Sequence, residues 1–591
     1  RRVLLSSGLV PMPEKTPLNA VISDRVQHDD YSVEKVRFEA RPGFLVTGNL
    51  YRPVGQGPFP AVVSPHGHWE KGRLANEERG SVPGRCITLA RMGAIVFSYD
   101  MVGYVDSCQL PHGWGGDREK LWAVHPYATQ LWSSIRAVDF VLSLPETDPA
   151  RIGCTGASGG GTQTFSLYAV DDRIAVAAPV NMISSTMQGG CLCENAPILR
   201  LDNSNMEIGA LMAPRPLLMV SATGDWTAET PHVEFPALKS IYALYGAEDK
   251  IANVHINAPH NYNQASREAM YAFFGNHLIG GRDWTGFAEP PFTVEENEKL
   301  RVFPDGKPPA DLPGKDALIQ QFIAENQAKW DAVMPKSQAD VPTFRAQYGD
   351  VLADILGARI PAENEVTPER ADMTERGPLV LERWIIRREG AGDAIPALYY
   401  RFMDPTPRDT VVLSHAKGKA ALADLTQGGP GPLVKGLLDA GKNVLCIDVF
   451  LTGEHNAPDA LARRYSVGKF MDTFQPTDFG YRVQDVLTAL AFLRARRDIT
   501  DNIAVGGLDG AGVWCLFAAA IDGHCQTVFA DFGGFDPTSD SDWEHTCYTP
   551  CIRAVGDVRT AAAMIVPDRN LCVADVGGAV AWPELGVVIA E

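Results

Sequence analysis

No run of 18 consecutive apolar residues occurs in this 591-residue chain, so no segment is long enough to cross a bilayer as a helix. Positive charge is scarce as well. Against 72 Asp and Glu there are 53 Lys and Arg, a formal net charge of −19 that argues against nucleic acid or anionic membrane as a partner. The eleven cysteines show no zinc-ligand spacing. Cys191-Leu192-Cys193 stands as an isolated C-x-C and reads as free or partly paired thiols, so neither a metal nor a cofactor is expected. The glycine-rich run at 156–161 is not followed by the Gly-Lys-Ser/Thr of a phosphate-binding loop. A starting methionine is missing too: the chain opens on Arg1-Arg2, compatible with a removed leader, and a periplasmic or secreted location is favoured over a cytoplasmic one. What is present is a globular composition, 45% hydrophobic and 21% charged, in a chain too long for one core.

The stretch that organises the rest is Arg151-Ile152-Gly153-Cys154-Thr155-Gly156-Ala157-Ser158-Gly159-Gly160. A short β-prone run enters Gly-x-Ser-x-Gly and a helical stretch, 164–170, follows at once. Strand, sharp turn and helix form the setting in which a serine is held on a strained turn with its Oγ exposed above the sheet. The flanking glycines are required because strand and helix approach too closely for side chains.

Around this turn, strands are expected at 32–39, 44–52, 60–65, 94–99, 152–155, 174–179, 217–220 and 254–257. A helix is expected at 127–144 and helical runs between the later strands. Alternating strands and helices imply an α/β fold with a mostly parallel sheet flanked by helices. Residues 283–312 are rich in proline and acid, and helices are expected at 315–330 and 344–356. A second strand–helix series begins near 378 and repeats the first. His415 answers His66 (415 − 66 = 349), Asp448 answers Asp100 (448 − 100 = 348), and Asp509 answers Ser158 (509 − 158 = 351). The expected organisation is thus tandem α/β-hydrolase folds: a catalytic domain at 1–282, a linker with helices at 283–365, and a catalytically degenerate second domain at 366–591.

A serine on such a turn needs an acid after a later strand and a histidine after the last one. Leu217–Val220 leads to Gly224-Asp225, and Val254–Ala258 leads to Pro259-His260. Ser158 as nucleophile, His260 as base and Asp225 as the residue that orients it meet the requirement. His255 is the nearest rival base and lies inside a strand; Glu229 is the nearest rival acid. The oxyanion donors are expected from the backbone of Gly159 and of Gly67 or His68. Trp69, Trp114, Trp122 and Trp226 fall at or beside strand ends, where aromatic rings suit sugar or aryl groups.

The runs Asn195-Ala196-Pro197, Leu211-Met212-Ala213-Pro214-Arg215-Pro216-Leu217-Leu218 and Gly224-Asp225, with Tyr99-Asp100-Met101-Val102-Gly103-Tyr104, resemble the bacterial acetyl-xylan-esterase-like and dienelactone-hydrolase-like branch of the α/β-hydrolases. The resemblance covers residues 30–280, and the second copy only in its strands. It implies a carboxylester hydrolase, often acting on acyl groups of polysaccharides. The chain lacks the Arg-Gly-Gln and the Gln after serine usual in acetyl-xylan/cephalosporin deacetylases, and has Gly159 where glucuronoyl esterases place Arg.

In the second copy, the histidines after Asp509 are His524 and His545, both ahead of the strand at 571–574, so this copy is expected to be silent. Two other functions compete with a serine carboxylesterase acting without cofactor on a small-molecule or polysaccharide ester. One is a prolyl-oligopeptidase-like peptidase, which shares the triad order but usually carries a long propeller ahead of it. The other is a non-catalytic carbohydrate-binding or scaffold protein.

Overall fold

The structure is a computed structural model that describes residues 1–426, 428–455, 469–578 and 588–590. It divides into two compact units, one of residues 1–119 and 124–324, the other of residues 120–123 and 325–591. The 283–365 stretch is shared between them, 283–324 with the first and 325–365 with the second.

The first unit is built on a nine-stranded sheet. Its strands in chain order are β1 (Val21–Gln27), β2 (Tyr31–Arg41), β3 (Phe44–Pro53), β4 (Phe59–Val63), β5 (Ile95–Tyr99), β6 (Thr147–Ala157), β7 (Ile174–Val180), β8 (Leu217–Gly224) and β9 (Ile251–Pro259). Across the sheet they run β1-β2-β3-β5-β4-β6-β7-β8-β9. The pairs from β5 onward are parallel, while β1, β2 and β3 form an antiparallel edge. Parallel strands carry helices on both faces, which is why β4 and β5 are almost wholly apolar and buried. The helices Val82–Arg91, Pro126–Leu142, Gly159–Val170 and Gln264–Phe274 pack against this sheet. On one side Val62, Val96, Ala178, Val220, Met270 and Phe274 form a continuous core. The helix Pro126–Leu142 starts on Pro126 with the His125 side chain accepting the Ala128 N–H. It is buried on nearly every side rather than amphipathic, because the lead segment lies over it through Lys15–Asp139 and Arg136–Thr16 contacts.

The second unit repeats the plan. Its strands are β10 (Val366–Arg376), β11 (Leu379–Arg388), β12 (Ile395–Phe402), β13 (Arg408–His415), β14 (Asn443–Ile447), β15 (Ile499–Leu508), β16 (Thr527–Asp531), β17 (Asn570–Ala574) and β18 (Val588–Ala590). Their order, β10-β11-β12-β14-β13-β15-β16-β17-β18, matches the first sheet strand for strand. The chain is therefore a tandem of two α/β folds of one topology. No helix among the described residues is long and apolar enough to cross a membrane.

Each unit buries a cation between two acids at the same place. In the first, the guanidinium of Arg73, fully buried, contacts Asp100 at the end of β5 and Asp106 in the loop beyond it. Asp100 also accepts from Thr47 Oγ1 (2.7 Å), and Asp106 from the backbone N–H of Val302 (2.8 Å). In the second, Lys419 lies between Asp448 and Glu454. Removing one partner of such a cluster strands charge in a place water cannot reach. Arg73→Met is accordingly expected to destabilise the first unit by about 3–5 kcal/mol, with Arg73→Lys milder, as read by denaturant unfolding. An unfolding midpoint unmoved by the methionine would rule out a structural role for the cluster.

Candidate active site

Strand β6 ends at Ala157, and Ser158 follows with φ +57°, ψ −125° before the helix Gly159–Val170 begins. A positive φ at a serine is a strained conformation that neighbours must hold in place. Two contacts do so. The Ser158 N–H donates to the carbonyl of Val180 (3.1 Å), and the loop after β4 presses on the turn from the other side. A Cβ on Gly160 would stand 2.6 Å from the Pro65 carbonyl oxygen, and one on Gly67 would stand 2.7 Å from that of Ala157. The turn and the Pro65–Gly67 loop are in backbone contact, so neither position has room for a side chain.

Asp225 follows β8 and His260 follows β9, the two outermost strands of this edge. Asp225 Oδ2 is 2.8 Å from His260 Nδ1. Its Oδ1 accepts from the N–H (2.7 Å) and the Oγ1 (2.5 Å) of Thr227. With Asp225 accepting, Nδ1 carries the proton and Nε2 presents a lone pair. The Trp226 ring lies 4.3 Å from the His260 ring, and its indole N–H donates to the Asn181 carbonyl (3.1 Å). Asn181 Nδ2 donates in turn to the Asn261 carbonyl (3.1 Å). Asn181 is the residue after Val180, which anchors Ser158, so one backbone position ties the serine turn to the acid and base loops. Neither Ser158 Oγ nor His260 Nε2 makes a hydrogen bond among the described residues, which leaves both open to a reactant. Of the rivals, His255 Nδ1 is spent on Ser221 Oγ (2.8 Å) within the sheet, and Asp225 rather than Glu229 faces His260.

His66 is fully buried beneath the loop. It accepts the Met101 N–H at Nε2 (2.9 Å), so its proton sits on Nδ1, 2.7 Å from the Gly67 carbonyl. Burial pushes its pKa down to about 3, and the ring is a neutral support for the loop. Gly67 and His68 do lie against the serine turn: a Cβ on Gly159 would be 2.6 Å from His68 Cε1.

The four tryptophans part company. Trp226 sits on His260. Trp69 is buried under the hairpin of residues 76–81, with the Arg79 guanidinium 4.8 Å from its ring. Trp114 is buried in the loop after β5. Trp122 belongs to the second unit, where it donates to Asp540 Oδ1 (2.9 Å) beneath the Arg553 guanidinium. Its indole is thus engaged by side chains of the second unit. A groove of about 1300 Å³ passes His260 between the 76–81 hairpin and residues 257–264, and no tryptophan lines it.

One group was not legible as a site in the sequence. His68, His112, Cys191 and Cys193 bring their ligand atoms within 4.8 Å of one another. They come from three loops, after β4, β5 and β7, so their spacing along the chain carries no ligand signature; the only local hints are the C-x-C and the His-Gly-His. Cys191 titrates far below the usual thiol range, first because Cys193 hydrogen-bonds to it and next because His112 and His68 face it.

The second unit has Asp509 at the equivalent turn, also with positive φ (+55°). Its carboxylate is paired with Lys417 (2.8 Å), which holds its pKa below the ordinary range, and His415 Nδ1 lies 3.9 Å away. Asp575 after β17 answers Asp225 after β8 (575 − 225 = 350).

Residues 14–186 match the family model of acetyl xylan esterase (AXE1), a span that includes Ser158 and stops short of Asp225 and His260. Over 266 residues, 42% of this chain and 89% of the relative, the sequence is 24% identical to the putative hydrolase YtaP of Bacillus subtilis (strain 168). Among solved structures, methylesterase BT1017 is 31% identical, with 56% of this chain and 74% of that one covered and a TM-score of 0.47. The acetyl xylan esterase from Paenibacillus sp. R4 is 21% identical, covering 47% of this chain and 92% of its own, with a TM-score of 0.34.

The hydrogen bonds at Asp225 set a test of the acid's identity. Thr227→Val removes the side-chain donor to Asp225 and is expected to lower kcat about 10- to 150-fold with KM little changed, the value of one hydrogen bond to a charged group. Glu229→Gln should leave kcat within about twofold. Steady-state kinetics with an activated ester decide it, and a larger loss from the Glu229 variant than from Asp225→Asn would overturn the assignment.

Proposed function

Because this chain belongs to the acetyl-xylan-esterase-like branch of the α/β-hydrolases, whose members are serine carboxylesterases, we propose that it hydrolyses acyl esters, acetyl or related, carried on carbohydrate, through Ser158, His260 and Asp225. The observation that supports this most is the 2.8 Å contact between Asp225 Oδ2 and His260 Nδ1 at the strand edge where Ser158 is held with φ +57°.

Ser158 Oγ attacks the ester carbonyl carbon while His260 Nε2 takes its proton. Asp225 fixes the imidazole tautomer and stabilises the imidazolium as it forms. The negative charge on the carbonyl oxygen is met by the backbone N–H of Gly159 at the helix start and by that of Gly67 or His68 in the loop pressed against the turn. Collapse expels the sugar alkoxide, which takes the proton from His260, and leaves Ser158 acylated. Water, deprotonated by His260, then attacks the acyl-enzyme and restores the serine. Asp509 is given no part in this sequence: its exposed carboxylate is paired with Lys417, and no histidine follows β17 in the chain to stand where His260 stands after β9.

Ser158→Ala is expected to lower kcat for p-nitrophenyl acetate by a factor on the order of 10⁴ to 10⁶ while the unfolding free energy stays within about 1 kcal/mol of wild type. Asp509→Asn should keep turnover within about twofold. Acetylated xylan, methyl-esterified pectin and a peptide amide, assayed side by side, set the substrate class. Release of acetate from xylan is the expected result; cleavage of the amide with no ester turnover would contradict the reading.

A further inference from the structure

We propose that His68, His112, Cys191 and Cys193 bind one zinc ion as a closed Cys₂His₂ centre that staples three loops together beside the serine turn. The metal site stands on its own geometry; only its service to ester hydrolysis rests on the function proposed above.

The distances suit such a centre. His68 Nε2 is 3.1 Å from Cys193 Sγ and 3.2 Å from Cys191 Sγ, and His112 Nε2 is 3.9 Å from Cys191 Sγ. A tetrahedral zinc with Zn–N near 2.0 Å and Zn–S near 2.3 Å sets its ligand atoms about 3.3–3.8 Å apart, so small shifts bring all four onto one ion. The tautomer is also prepared. His112 Nδ1 is 2.8 Å from the Val102 carbonyl and donates to it, which turns the Nε2 lone pair toward the thiols. Metal-bound histidines are habitually fixed by such a second hydrogen bond. The charge balance points the same way. Glu194, next to Cys193 and buried, is engaged by Gly190 N–H (2.8 Å) and Thr162 Oγ1 (3.3 Å), so a carboxylate stands beside two thiols in a water-poor place. A divalent cation offsets that negative charge when the thiols ionise on binding.

Four protein ligands leave no open coordination position, so the ion acts as a structural element and not as the carbonyl's Lewis acid. Its position gives it a purpose. His68 lies in the loop whose Gly67 presses on the serine turn, His112 in the loop after β5, and Cys191 and Cys193 in the loop tied by Glu194 to Thr162 of the helix that starts at Gly159. Fixing these three loops to one ion holds the proposed oxyanion backbone in place.

The test measures metal, not activity. Full-length protein isolated under reducing conditions and dialysed against a weak chelator is expected to hold about one zinc per chain by elemental analysis. Alkylation of native protein should leave Cys191 and Cys193 unmodified until the zinc is withdrawn by a strong chelator. Cobalt(II) exchange should give the thiolate charge-transfer and visible bands of a tetrahedral centre. His112→Ala and Cys193→Ser should each lower the zinc content at least fivefold. If a variant does not fold, the wild-type zinc content and alkylation pattern decide alone. Metal-free wild type that takes up no zinc, with both thiols freely alkylated or joined as a Cys191–Cys193 disulfide, would overturn the proposal. Ester hydrolysis by Ser158 could fail with the zinc present, or persist with it absent, so the two readings are separable.

Discussion

The constraint on which the first unit depends is the close approach of the Pro65–Gly67 backbone to the turn at Ser158. Gly160 and Gly67 meet opposing carbonyl oxygens at distances that admit no Cβ. This contact helps hold Ser158 at a positive φ and brings Gly67 against the turn. Strain at one residue persists only where its surroundings over-determine it; here β7 holds the turn through Val180 and the Pro65–Gly67 loop presses on it, that loop being braced by the buried ring of His66. Asp225 and His260 are then brought to the same edge by the parallel order of β6 to β9, and Asn181 links the two halves of the arrangement.

The second unit shows what the architecture retains once chemistry at the turn is altered. The strand order, the buried cation between two acids and the positive-φ turn are all kept. The turn residue itself is Asp509, tied to an exposed lysine in place of a free hydroxyl. An acid even stands at the position of Asp225, as Asp575. These features belong to the folding of the sheet and its loops, and fold alone does not specify a reaction.

Much of this was legible in the sequence for a physical reason. Strands β4 to β8 carry buried cores and appear as apolar runs, the edge strand β9 shows as a half-buried alternating run, and the Ser158 turn is marked by the glycines its crowding requires. The ordering Ser158, Asp225, His260 followed because each sits at the end of such a run. The antiparallel edges were harder. Strand β1 and strand β10 are paired through their backbones while most of their side chains face solvent, so Val21–Gln27 and Val366–Arg376 carry no apolar alternation. Trp122 sits in the sequence as if at the site, but it packs on Arg553 and Asp540. The His68–His112–Cys191–Cys193 cluster was invisible because three separate loops supply it, and only the fold brings them together.

The central claim is that Ser158 is the nucleophile of an ester hydrolase, and the most direct measurement is covalent trapping. The full chain is treated with a fluorophosphonate and the adduct mapped by peptide mass spectrometry. The account predicts one equivalent of label on Ser158, abolished when His260 is replaced by alanine. Label that goes to another residue at full inactivation, or unimpaired ester hydrolysis by a fully labelled chain, would contradict it.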